Sequence, residues 1–495
     1  MLAIPTHDYR RSDYRVPSRP LTGLDALVNG AFGQYRRRGG ILASLRRDAE
    51  TILAQEREWL ELSDARLQRR LLEFRAQFRR GGRATENLTA PALAAIREAA
   101  DRKLGLRPFP VQLTGALALH RGYLAEMATG EGKTLTAGLA AILAGWTRRP
   151  CHIVTVNDYL VQRDAEWLEP LYHFCGVRVG FVIAASVPAE RARNYGCDVA
   201  YVTSKELLAD FLRDRLYLGR MQHPTRRLIR RMLLPSAQTG GGLVLRGLHT
   251  AIVDEADSVL IDEAVTPLII SASHKNESLR EAARRAQEMV RVLEPGADYE
   301  ANLRYKEIEL TKAGLQKLVR QASRLPGLWQ GHDRRLELAV QALVAREFFH
   351  RDQQYIVEDG RVVIVDEFTG RPMPQRTWRE GMHQAIEAKE GLPISDPAET
   401  IARLSFQRFF RCFHRLSGMT GTAREAAGEL WQVYGLPTVP IPTNRPCLRE
   451  QWPDRFFGDE RGKWRAVVAE IEKWHATGRP LLVGTRSVLA SERLG

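Results

Sequence analysis

Between residues 41 and 80 the apolar positions Ile41, Leu42, Leu45, Ile52, Leu53, Trp59, Leu60, Leu67, Leu71 and Phe74 recur at helical spacing among charged neighbours. Leu62-Ser63-Asp64 interrupts the run and offers a serine cap, so two helical stretches are expected there. Ala90–Leu104 reads as a further helix closed by Gly105. Beyond it the texture changes. Short β-branched runs at Tyr123–Met127, His152–Val156, Val199–Thr203 and Ala251–Val253 alternate with helical stretches. That alternation predicts an α/β fold, a parallel sheet with crossover helices. Ser271–Ser278 is polar and reads as a linker. From about 279 to 390 the pattern gives helices near Leu279–Leu293 and Leu310–Leu325, then short strands at Gln354–Val357 and Arg361–Val365, an inserted α+β domain. Helical texture resumes at Gln407 and leads into Ser417-Gly418-Met419-Thr420-Gly421-Thr422. After about 446 another α/β unit begins, with a helix at Trp464–His475 and a strand at Leu481–Gly484.

At 495 residues the chain is too long for one core, and two to four domains are expected. The longest apolar run, Leu135–Trp146, is well short of the roughly 20 residues that cross a bilayer, so it reads as a buried helix. The first fifteen residues lack the apolar core of a signal peptide, and the expected location is the cytoplasm. Cys151, Cys175, Cys197, Cys412 and Cys447 form no CxxC pair, which argues against a zinc site and against a disulfide framework. The net charge of +14 draws polyanions: nucleic acid, anionic lipid or an acidic protein face. Arginine clusters at Arg36-Arg37-Arg38, Arg69-Arg70, Arg79-Arg80 and Arg226 to Arg231 carry much of it, and each also reads as a solvated basic face.

The sharpest chemical signal is Thr129-Gly130-Glu131-Gly132-Lys133-Thr134, between an apolar strand and the helix from Leu135. Phosphate cradles need this context: glycines let backbone N–H groups converge on oxygens, and the following helix adds the positive end of its dipole. Lys133 would reach the β- and γ-phosphates of ATP, and Thr134 would hold Mg²⁺. The strict pattern asks for glycine where Met127 stands; helicase-like motors use the shorter TGxGKT form. A chance Gly-Lys-Thr is common, but the full strand–loop–helix context is not.

Ile252-Val253-Asp254-Glu255-Ala256-Asp257 places an acidic pair at a strand's C-terminal end. Asp254 would hold Mg²⁺ and Glu255 would polarise the attacking water, both in catalytic roles beside Lys133. Alone these residues also suit a solvated turn; the phosphate loop upstream removes that ambiguity. In the segment Arg107-Pro108-Phe109-Pro110-Val111-Gln112, Gln112 can pair with an adenine edge and Phe109 can stack beside it, with Arg107 in support.

These residues closely resemble the SecA family of preprotein-translocase ATPases, nearly end to end. The likeness lies in VQLTGALALHRGYLAEMATGEGKTLTA, VTVNDYLVQRDAEWLEPLYHFCGVRVG, DEADSVLIDEAVTPLIIS, VDEFTGRPMPQRTWREGMHQAIEAKEG, GMTGTA, IPTNRP and GRPLLVGTRSV. General DEAD-box helicases lack the VNDYL, HQAIEAKE and GMTGTA blocks. The resemblance implies a first nucleotide-binding domain over residues 1–271 and 394–445, a preprotein cross-linking domain at 272–393, and a second nucleotide-binding domain from 446. Nucleotide would lie between the two motor domains. Gln112, Gly130, Glu131, Gly132, Lys133 and Thr134 match the family's ATP-binding positions, and Thr420, Gly421 and Thr422 match its interdomain hinge.

By the same resemblance, the expected partners are the SecYEG translocon, unfolded preproteins and an anionic lipid surface. A homodimer is a further expected assembly, no nucleic acid is expected, and the protein would sit peripherally on the inner face of the membrane. DVAYVTSKELLADFLRD at 198–214 and the long basic stretch Arg215–Gly247 depart from the family and point to a divergent or accessory branch. The family's later motifs, including the arginines that close on the phosphates and the zinc-binding tail, fall after Gly495. The isolated chain is therefore expected to bind ATP and turn it over poorly. Two rival readings remain: a nucleotide- or preprotein-binding module without turnover, and an RNA helicase, which RNA-stimulated ATPase activity would reveal.

Overall fold

The computed structural model describes residues 13–18, 21–38, 40–82, 84–219, 225–226, 229, 233, 242–273, 276–323, 325, 327–365, 372–373, 376–378, 381–396, 398–486 and 488–495. Its centre is a seven-stranded sheet built from β1 (Leu124–Glu126), β2 (Cys151–Thr155), β3 (Val179–Val182), β4 (Val199–Thr203), β5 (Thr250–Asp254), β13 (Arg415–Thr420) and β14 (Thr438–Pro440), in the order β14-β1-β13-β5-β2-β4-β3. Every neighbouring pair is parallel. Successive side chains of a strand point to opposite faces. Ile153, Tyr201 and Ile252 accordingly join one core, with helices Pro110–His120, Lys133–Gly145 and Asp158–Phe174. Val154, Val202 and Val253 join the other, with Ser204–Leu218, Phe406–Phe410 and Ala423–Tyr434. The four expected strands therefore form within a residue of their predicted ends.

The N-terminal helices Ile41–Ala54, Glu56–Leu60 and Asp64–Arg80 cover the first core through Leu45, Ile52, Trp59, Leu67, Leu71 and Phe74. The break falls where Ser63 accepts the Arg66 N–H at 3.4 Å, the predicted cap. The expected helix before Gly105 runs from Ala84 to Leu104.

Ser271–Ser278 is not wholly a linker. Its first three residues complete β6 (Pro267–Ser273), which pairs antiparallel with β12 (Ala398–Ser405), and only then does the helix Glu277–Val290 begin. Polar side chains suit this strand because a two-stranded ribbon leaves much of its surface in water. Between the two strands lies a body with its own core. Helices Glu277–Val290, Lys312–Ala322 and His332–Phe348 pack around Tyr299 and Trp329, beside the hairpin β7 (Tyr299–Asn302) and β8 (Glu307–Leu310). A small sheet of β9 (Tyr355–Glu358), β10 (Arg361–Val365) and β11 (Pro372–Met373) adds a second cluster with helix Met382–Lys389.

Residues 443–495 form a separate unit. It contains helices Glu460–His475 and Val488–Leu494. The strand expected at Leu481–Gly484 is not formed: no strand is present among the described residues of this unit to share its hydrogen bonds, and Leu482 is fully exposed.

Candidate functional site

Strand β1 ends in the loop that leads to helix Lys133–Gly145. Gly130 and Gly132 adopt φ of +91° and +82°, a region that glycine enters without steric cost. Gly132 caps the helix, and a Cβ there would lie 2.2 Å from the Gln112 amide nitrogen. That nitrogen donates to the Glu131 carbonyl at 2.9 Å, while the Phe109 N–H donates to Gln112 Oε1 at 2.9 Å. One glutamine thus ties the start of helix Pro110–His120 to the phosphate loop. Phe109 is half exposed beside it. Arg107 is occupied elsewhere: its guanidinium meets Glu56, Glu98 and Asp101, at 2.7, 3.0 and 2.5 Å. It braces the segment rather than facing the loop. Burial would raise Glu56, but its hydrogen bonds to Arg107 and Arg97 outweigh that and hold the carboxyl below its ordinary range.

Across the loop, Lys133 Nζ contacts Glu255 Oε1 at 2.6 Å, with the lysine largely buried. Glu255 follows β5 directly and has φ +45°, unusual for a residue with a side chain. Burial, then the charge of Glu255, pushes Asp254 up to about 6, and Asp254 Oδ1 accepts the Glu255 N–H at 3.0 Å. Thr134 makes no side-chain hydrogen bond among the described residues. The loop, Lys133, Asp254 and Glu255 thus meet at the C-terminal edge of a parallel sheet, where open α/β folds bind ligands, and Thr134 follows Lys133 in the helix.

Asp257 is the residue that the sequence did not single out. It accepts a 2.7 Å hydrogen bond from Thr420 and another from Thr422, and Thr420 also lies 3.5 Å from Glu255 Oε2. These bonds outweigh burial and hold its carboxyl below the ordinary range. A π-helical turn, Ser258–Asp262, starts immediately afterwards. Gly421 faces the loop: a Cβ added there would lie 3.5 Å from Thr129 Oγ1 and 3.6 Å from the Met127 carbonyl. The Ser417–Thr422 run is therefore the adjacent strand β13 and its exit, joined to the acidic motif side by side. The sequence pattern predicts helical texture leading into this run, and the strand Arg415–Thr420 is not among the expected ones.

The SecA DEAD-like domain family matches residues 29–431, and the SecA P-loop domain family matches residues 446–495. The chain belongs to the SecA family. Its SecA relatives include "Protein translocase subunit SecA 2" of Chlorobium chlorochromatii, 47% identical over 99% of this chain and 74% of that protein. The same-named protein of Magnetococcus marinus is 44% identical over 98% of this chain and 75% of its own length. "Protein translocase subunit SecA" of Synechococcus sp. (strain WH7803) is 43% identical over 89% of this chain but only 45% of its own length. The SecA match confirms the expected α/β, DEAD-like class and implies nucleotide binding. No helix among the described residues is long and apolar enough to cross a membrane.

Proposed function

We propose that the chain is an ATP-driven motor portion of a Sec-type protein translocase, coupling ATP binding and hydrolysis to movement of unfolded preproteins. The observation that carries this reading is the meeting of Lys133, Asp254 and Glu255 around a glycine loop, in a chain of the SecA family. Loop N–H groups at Gly130, Glu131 and Gly132 would cradle phosphate oxygens, and Lys133 would leave Glu255 for the β- and γ-phosphates. Thr134 and Asp254 would hold Mg²⁺, which when bound neutralises developing phosphate charge. Glu255, released from Lys133, would orient and deprotonate the attacking water. Gln112 would read the adenine edge with Phe109 beside it. That requires its amide to share or surrender the Glu131 carbonyl, which links base recognition to loop shape. Thr420, Gly421 and Thr422, held through Asp257, would carry the state of the site into β13.

In this reading the first nucleotide-binding domain is 1–271 with 394–445, the preprotein cross-linking domain is 272–393, and the second nucleotide-binding domain begins at 446. The partners would be the SecYEG channel, preproteins and anionic lipid, at the cytoplasmic face of the membrane, with a homodimer among the assemblies. The test is Mg-ATP binding and hydrolysis by the purified chain. Lys133→Ala should weaken binding at least about tenfold, and Glu255→Gln should keep binding while lowering turnover roughly 10²–10⁴-fold. Binding that Lys133→Ala leaves unchanged would sink the assignment. Stimulation by unfolded preprotein supports translocation, whereas stimulation by RNA alone supports the helicase reading.

A further inference from the structure

At the end of the sheet opposite the phosphate loop, where β1 and β13 begin, lies a cavity of about 400 Å³. Arg15, Arg121, Arg411, His414 and Arg415 line it, and no carboxylate does so among the described lining residues. We propose that this cavity is a second ligand site, built to bind a small phosphate-bearing polyanion.

The argument rests on unmatched charge. Among the described residues, the guanidinium groups of Arg15 and Arg415 make no ion pair and no hydrogen bond. Among the same residues Arg411 donates to a neutral acceptor alone, the Ser18 carbonyl, at 2.6 Å. The other two have carboxylate partners outside the lining: Asp48 lies 2.5 Å from Arg121, and Asp13 lies 3.3 Å from His414. Among the described residues, three cations therefore share one recess without an internal counterion. Like charges in a recess repel more strongly than on an open surface. Arginine's planar fork matches multi-oxygen anions such as phosphate, and several forks around one cavity match a ligand with several such oxygens.

The neighbouring groups agree. Burial, then Arg415 and Arg121, lowers His120 to about 4, and its Nδ1 is buried without a partner. Burial, then Arg149, His414 and Arg415, lowers His249 to about 3. Neither histidine adds a charge at neutral pH, but both register the positive field. The volume suits a small molecule.

The cavity is separate from the ATP site, and strand β13 connects the two. Arg415 opens β13 and Thr420 closes it, a span of about 17 Å at strand rise. Helix Ala423–Tyr434 then leads from the phosphate end back to the cavity, where Trp431 and Tyr434 form part of the wall. Phosphate chemistry could come from a free metabolite or from an anionic lipid headgroup.

The test uses the full chain carrying Lys133→Ala, so that the phosphate loop does not contribute. Inorganic pyrophosphate is titrated by calorimetry. Flotation with phosphatidylglycerol vesicles, against phosphatidylcholine, forms the second arm. Pyrophosphate binding that persists in Lys133→Ala and falls about 10–100-fold on adding Arg415→Ala supports a site for a free ligand. No pyrophosphate binding, with vesicle binding weakened at least tenfold by Arg415→Ala, supports the lipid source. Binding of both probes unaffected by Arg415→Ala, or of neither probe, overturns the proposal. Arg15→Ala, on an exposed segment, is the second variant should Arg415→Ala fail to fold, and retained ATP binding by Arg415→Ala in a chain that keeps Lys133 reports an intact motor core.

Discussion

A methyl group at Gly132 would meet the Gln112 amide at a backbone φ of +82°, so Gly132→Ala carries both a clash and backbone strain. The expected outcome is a stability loss of about 1–3 kcal/mol in urea unfolding and at least a tenfold loss of ATP affinity by calorimetry. His152 tests a different property. It lies within the sheet against Tyr195 and Phe413, with an unpartnered Nδ1, and burial lowers it to about 4. Its folded value lies below the unfolded value of about 6.5, so the unfolded chain binds more protons between them. The stability that this group contributes is present above about pH 6.5 and is lost as pH falls through about 4. His152→Gln should flatten the acid limb of stability by about 1–3 kcal/mol, measured by urea midpoints at pH 7 and pH 4.5. At this scale the glycine loop's shape and the placing of Gln112 against it were legible, because both depend on short spacings. Asp257 was not, because its partners Thr420 and Thr422 lie more than 160 positions away and only the pairing of β5 with β13 makes them neighbours.

Elements whose burial imposes a distinctive apolar run were read well, and elements whose burial blurs that pattern were not. Strands β2, β4 and β5 announce themselves because burial on both faces demands continuous apolar runs. Leu481–Gly484 has the same texture but no neighbouring strand among the described residues of its unit. Helix His332–Phe348 went unpredicted because it buries Leu338, Ala339, Ala342, Leu343, Ala345 and Phe348, a face wide enough to blur helical periodicity. The junction of β5 and β13 yields its own prediction. Asp257→Asn weakens the hydrogen bonds that hold Thr420 and Thr422, so turnover should fall about tenfold while ATP affinity changes less than about threefold. Comparing kcat with ATP affinity in this variant checks it; equal loss of both would place Asp257 in binding rather than in coupling.

Across the whole molecule, stability is unevenly distributed. Helix Lys133–Gly145 buries eleven consecutive residues from Leu135 to Gly145, whereas helix Glu460–His475 buries none. Hydrogen exchange should show the amides of the second helix opening orders of magnitude faster than those of the first. Comparable protection would mean that residues 443–495 bury surface that their own contacts do not reveal. The main sheet draws its strands from both sides of a long interruption: β1 to β5 precede it, and β13 and β14 follow. Chain leaves for the inserted body through β6 and returns through β12, with Pro267 opposite Ser405 and Ser273 opposite Ala398. To the motor sheet, residues 274–397 are a loop whose ends are already clamped together. Closing a flexible loop costs only about 0.6 kcal/mol per doubling of length, so shrinking this one to a four-residue turn is worth about 3 kcal/mol. The ribbon therefore acts as a socket. The body plugged into it can be enlarged, trimmed or exchanged over evolution, or by splicing, while the register of the seven strands is left undisturbed.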